Sequence, residues 1–199
     1  MEQFFTPTEP DPEPGLALED GFPWKRFLWE TAQTVMLSLL LFLLINSVSA
    51  RIRVQSISMQ PTLFEKDLVL INRLAYRLGQ PDHRDIVVFD PPITGAEEPY
   101  IKRVIGLPGD TVRIENRQVF INGVAQTETY VAASPAYSGE WTVPEGQLFV
   151  LGDNRNQSSD SHSWGMVPLE NVLGKAELLY WPLQRLKWLD PSIAFAAGQ

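Results

Sequence analysis

From Thr31 to Ala50 no residue carries a charge, and Val35 to Ile45, VMLSLLLFLLI, is apolar apart from Ser38. Twenty helical residues span about 30 Å, the thickness of a bilayer's hydrocarbon core. Three readings compete for this segment. A buried helix of a soluble domain should show a polar stripe, which is missing here. A cleavable targeting signal would use Lys25 and Arg26 in front and VSA, Val48 to Ala50, as its small-residue cut site. Such a signal would begin after a long acidic tail, and its apolar core is usually only ~7 to 15 residues long. A retained membrane anchor over residues 25–50 is favoured. Lys25 and Arg26 on one side face Arg51 and Arg53 on the other, so the flanking bases leave its orientation open.

The formal net charge of −8 is concentrated at one end. Six acids, Glu2, Glu9, Asp11, Glu13, Glu19 and Asp20, precede the first base, Lys25, which leaves −2 for the rest of the chain. Residues 1–24 also carry five prolines and few large apolar groups, so they read as a disordered acidic tail. Lysines and arginines elsewhere are scattered, which excludes a basic nucleic-acid surface. With no cysteine there is no thiolate nucleophile and no thiolate metal site. The two histidines, His83 and His162, do not make a zinc cluster unaided. Hydrolytic chemistry would have to come from hydroxyls, carboxylates or lysine.

After Arg51 the texture changes to short runs rich in Val, Ile and Phe between Gly, Pro, Asn and Asp: DLVLINR, DIVVFD, YIKRVIG, TVRIE, QVFING, QLFVLGD, AELLYW. This predicts a mainly β domain over residues 51–199, with a hairpin turn at Asn122-Gly123.

Three segments of this domain bear on chemistry. In an extended YIKRVIG, Lys102 and Arg103 point to opposite faces, each between apolar neighbours, so at least one base is expected in low dielectric. Arginine stays protonated there and demands a carboxylate, whereas desolvation turns a lysine into a neutral amine able to act as a base. The bland alternative is an edge strand from which both heads reach water. In QSIS, Ser56 and Ser58 share a face, so two hydroxyls can converge on one group, although serines beside a turn are commonly just turn formers. Neither G-x-S-x-G nor S-x-x-K is present, and a serine with a lysine base is one arrangement that stays open. GDNRNQSSDSHSWG, Gly152 to Gly165, fails the calcium-loop pattern and reads as a loop that hydrogen-bonds its own backbone.

Together SMQPTL, YIKRVIGLPGD and GDNRNQSSDSHSWG occur in the order and form seen in the membrane-bound type I signal peptidases, and the chain resembles that family from the apolar segment to about Pro182. The resemblance implies a β-sheet catalytic domain behind one transmembrane helix, acting as a serine endopeptidase that removes signal peptides from exported preproteins. It implies Ser58 as nucleophile, Lys102 as general base 44 residues downstream, and an oxyanion hole from the Ser56 hydroxyl and the Ser58 N–H. It implies that Ser158 bonds to the lysine and fixes its position, and that Arg103, Asp153 and Asp160 give structural support. Val54, Met59, Leu63, Tyr100 and Ile101 fall at positions lining pockets for small residues at −1 and −3 of the substrate. His162 departs from the arginine common in bacterial members and is similar to the cyanobacterial and plastid branch. The family implies no cofactor and no metal. Its partners are signal peptides and membrane lipid, its tail is cytoplasmic, and its catalytic domain is on the exported side, periplasm or thylakoid lumen.

On the same footing Trp141, Trp181 and Trp188 are candidates for lipid contact or for core. The chain's own VSA is expected to escape cutting in cis. Two other readings stay open: a self-cleaving repressor with similar Ser-Lys chemistry, which is normally soluble, and an anchored β domain that binds preproteins without cutting them.

Overall fold

The computed structural model describes residues 23–96 and 98–189, so most of the expected acidic tail lies outside the described residues. The apolar segment forms one helix, α1 (Trp24–Val48), with no buried residue and enough length and apolarity to cross a membrane. Several of its polar side chains bond within the helix. Arg26 Nε donates to Glu30 Oε1 at 2.8 Å, and the hydroxyls of Thr34 and Ser47 donate back to the carbonyls of Glu30 and Leu44. Such internal bonding is what an apolar medium requires.

The rest is mainly β. In chain order it runs β1 (Ser49–Arg53), β2 (Leu68–Asn72), α2 (Ala75–Leu78), β3 (Ile86–Phe89), β4 (Tyr100–Gly106), β5 (Thr111–Glu115), β6 (Gln118–Ile121) and β7 (Val124–Ala125). It continues with β8 (Gly139–Thr142), β9 (Gln147–Leu151), α3 (Ser161–Trp164), β10 (Val167–Pro168), β11 (Val172–Trp181) and β12 (Lys187–Trp188). β1 starts at Ser49, two residues inside the segment expected to be anchor, because Ser49 to Arg53 pair antiparallel with Asn72 to Leu68.

Two antiparallel sheets result. The larger is ordered β1-β2-β11-β3-β4-β9-β10, with β12 added on β11; the smaller is β7-β6-β5-β8. The continuous apolar runs DIVVFD and QLFVL are strands covered on both faces. On β3, Ile86 and Val88 join one core cluster while Val87 and Phe89 join another. On β9, Leu148 and Val150 share that second cluster, whereas Phe149 and Leu151 turn to a third that also holds Val112, Ile114 and Val119 of the small sheet. β9 therefore ties the two sheets together. Asn122 and Gly123, with φ of 51° and 80°, make the two-residue turn between β6 and β7, and this left-handed backbone is why Asn-Gly stands there.

Candidate active site

The site lies where the segment after β1 meets the middle of β4. Ser58 is in a tight turn held by Gln60 N–H on the Ile57 carbonyl at 3.1 Å and Leu63 N–H on the Met59 carbonyl at 2.9 Å. Its own carbonyl accepts from Asn154 N–H at 2.9 Å, which fastens the serine turn to the GDNRN loop. Gly152 passes directly beneath, and a Cβ there would collide with the Ser58 carbonyl and the Ser158 hydroxyl.

β4 is buried from Ile101 to Gly106, so both of its bases are inside, Lys102 and Arg103 each at 4% exposure. The edge-strand alternative fails because β3 and β9 pair with β4 on its two sides. The two bases are treated differently. Arg103 makes a two-pronged ion pair with Asp153, at 2.8 and 2.6 Å, donates to the Arg84 carbonyl, and lies 4.0 Å from the Tyr130 ring. Asp153 also accepts from the Thr62 hydroxyl, joining this pair to the serine turn. Lys102 has no ion pair among the described residues, and its Nζ lies 2.6 Å from Ser58 Oγ. Burial drives its pKa down from 10.5 to about 8, against the opposing pull of Asp160 and Asp153. Ser56 Oγ is 3.1 Å from Ser58 Oγ, so the second hydroxyl of QSIS reaches the same point.

Asp160 is fully buried, accepts from Gly152 N–H at 2.9 Å, and lies 2.5 Å from His162 Nδ1. The His162 ring stacks on Tyr137, centroids 3.9 Å apart. Ser158 departs from its expected contact: its buried hydroxyl has no hydrogen-bond partner, and the lysine amine bonds to Ser58 instead.

A cleft of about 270 Å³ opens in front of the pair. Val54, Tyr100 and Ile101 line it, as do Ile52, Arg53, Gln55, Glu98, Gln157 and Ser159. Met59 and Leu63, expected on its walls, are absent from the lining; both are at 0% exposure in the core cluster under the serine turn, where apolar side chains remove most surface from water. Trp141 packs on Phe149, with ring centroids 5.0 Å apart, whereas Trp181 and Trp188 are half exposed.

Sequence reasoning missed the second layer. Arg155, 1% exposed, is clamped by both oxygens of Glu128 at 2.6 and 2.7 Å, and Tyr130, over Arg103, donates to the same carboxylate. The segment TETYV carries no local signal for this role, because its partners are 27 residues away in sequence. Among the described residues no cluster of His, Cys, Asp or Glu is arranged to hold a metal ion.

Residues 28–181 match the family described as Signal peptidase, peptidase S26. The chain is 43% identical over 163 residues to "Probable signal peptidase I-2" of Synechocystis, a match covering 79% of this chain and 75% of that protein. It is 41% identical to "Signal peptidase I" of Leptolyngbya laminosa, covering 82% and 85% respectively. It is 39% identical to "Thylakoidal processing peptidase 1, chloroplastic" of Arabidopsis thaliana, covering 65% of this chain and 41% of that one. With the apolar α1, these relatives make the chain a membrane protein. The chain belongs to the peptidase S26 family, as a type I signal peptidase of the branch found in cyanobacteria and plastids.

Proposed function

We propose that the protein cuts signal peptides from exported preproteins with Ser58 as nucleophile and Lys102 as general base. The observation that carries this is the buried amine 2.6 Å from Ser58 Oγ, with its pKa lowered to about 8. A neutral Lys102 takes the Ser58 proton as Oγ adds to the scissile carbonyl. The resulting oxyanion accepts from the Ser58 N–H and the Ser56 hydroxyl, a contribution typically worth about 2.7 to 4 kcal/mol for one such donor. The ammonium of Lys102 then returns its proton to the leaving amine, and the amine, neutral again, activates water to hydrolyse the acyl-enzyme. Asp153 and Arg103 hold the serine turn and β4 together, and Asp160 braces the loop beneath.

The substrate lies extended in the cleft beside the segment after β1 that bears Ser56. Its small −1 and −3 residues occupy pockets walled by Val54, Tyr100 and Ile101, and backbone pairing supplies affinity that side chains need not. The tail is cytoplasmic, α1 anchors the chain, and the catalytic domain works on the exported side.

The test is cleavage of a preprotein by the detergent-solubilised full chain. Ser58→Ala and Lys102→Ala should abolish cutting, and Ser56→Ala should lower kcat by about 100- to 1,000-fold. Wild-type rates in both Ser58→Ala and Lys102→Ala would overturn the assignment.

A further inference from the structure

The cleft has two long walls, residues 52–58 after and including the end of β1, and residues 98–102 leading into β4. Both run in the same sense toward the catalytic pair, because Ser58 ends one and Lys102 ends the other at 2.6 Å. Their opposite ends are the parts of each wall farthest along the chain from that pair. Each carries an exposed charge there, Arg53 on the first wall and Glu98 on the second, and both line the cavity. Neither has an ion-pair partner among the described residues, whereas the one other charged residue of the lining, Lys102, is hydrogen-bonded to Ser58.

Spacing sets which part of a substrate these charges meet. Glu98 precedes Lys102 by four residues, about 13 Å of extended chain, and Arg53 precedes the Ser56 hydroxyl by three, about 10 Å. An extended substrate advances by the same ~3.3 Å per residue, so with its −1 residue at the pair, Arg53 is level with −4 and Glu98 with −5. On the reading of the site given above, we propose that Arg53 and Glu98 are specificity-determining residues that read charge upstream of the −3 pocket, Arg53 favouring an acidic residue at −4 and Glu98 a basic residue at −5.

Such rim charges act in water, so each contributes a modest preference, about two- to five-fold in kcat/KM. The preference appears in KM, since these contacts are the same in ground and transition states. It is also lost at 1 M salt, where the Debye length is ~3 Å.

The experiment uses the solubilised full chain and preprotein substrates with Ala at −1 and −3 and Gln, Asp or Lys at −4 or −5. The reading is the ratio of kcat/KM for a charged substrate to that for its Gln counterpart within each enzyme, so a general loss of activity cancels. Arg53→Gln should lower the Asp −4 ratio by about two- to five-fold and leave the Lys −5 ratio in place, with Glu98→Gln doing the reverse. Ratios that are the same in wild type and both variants, or effects of each variant that fall equally on the −4 and −5 series, would overturn the proposal while the Ser58 and Lys102 assignment stands. Failure of the wild type to cut any of these substrates would sink that assignment and the proposal with it.

Discussion

An ordinary lysine amine is charged in neutral water, and β4 keeps that of Lys102 out of water without giving it a carboxylate to bond. Its neighbour Arg103 is as deeply buried but has Asp153 at bonding distance, and that difference separates a base from a brace. With an apparent pKa of about 8, kcat/KM should rise about five-fold between pH 7 and pH 8 and flatten above pH 9; a profile flat across this range would exclude a lysine base. The same burial costs stability. Because the folded pKa lies below the unfolded value of 10.5, the unfolded chain binds more protons between about pH 8 and 10.5, and stability rises with pH across that window. Below pH 8 the cost is present in full, about 3 kcal/mol for a shift of this size. Lys102→Met should therefore be inactive yet melt several degrees higher than wild type at pH 7, with the gap closing towards pH 10.5. A variant that melts lower than wild type at both pH values would contradict this account.

β1 decides the fate of the chain's own VSA. Ala50 and Arg51 are paired with Ile71 and Leu70, so the bond that resembles a cut site is held against β2 at the edge of the large sheet rather than free to lie extended in a cleft. Full-length chain incubated alone should keep its N-terminus, by mass spectrometry, and a product beginning at Arg51 in wild type but not in Ser58→Ala would refute this. The element-level readings that succeeded were those where one strand carries its own signal. DIVVFD and QLFVL announce strands, and Asn122-Gly123 announces its turn. The companion turn at Asn116-Arg117, with φ of 50° and 65°, has no glycine and so little local signal. It is held instead by the pairing of β5 with β6.

Two sheets share one core cluster through β9, and a strap of chain between β7 and β8 crosses from the small sheet to the loop beneath Ser58. Glu128 on that strap holds Arg155, while the Asn156 side chain donates to the Ser134 carbonyl and accepts from Ala136 N–H. Removing one partner of a buried ion pair leaves an uncompensated charge, so Glu128→Ala should destabilise the domain by about 3 to 5 kcal/mol in urea unfolding. Replacing both partners with Leu and Met should recover most of the loss. An Ala variant as stable as wild type would show that the strap is ornamental. What the sequence determined by itself was whatever a contiguous run can encode: an apolar helix of membrane length, β strands by their runs of Val, Ile and Phe between turn residues, and three motifs whose residue types name a chemistry. It also left real alternatives, since on an edge strand Lys102 and Arg103 would both reach water. Only the tertiary structure decided that both bases are buried, that Arg103 pairs with Asp153, that Met59 and Leu63 go to the core instead of the cleft, and that Glu128 clamps Arg155. The reason is physical: desolvation and ion pairing act through space, between groups brought together from distant parts of the chain, and no local pattern records which of them will meet.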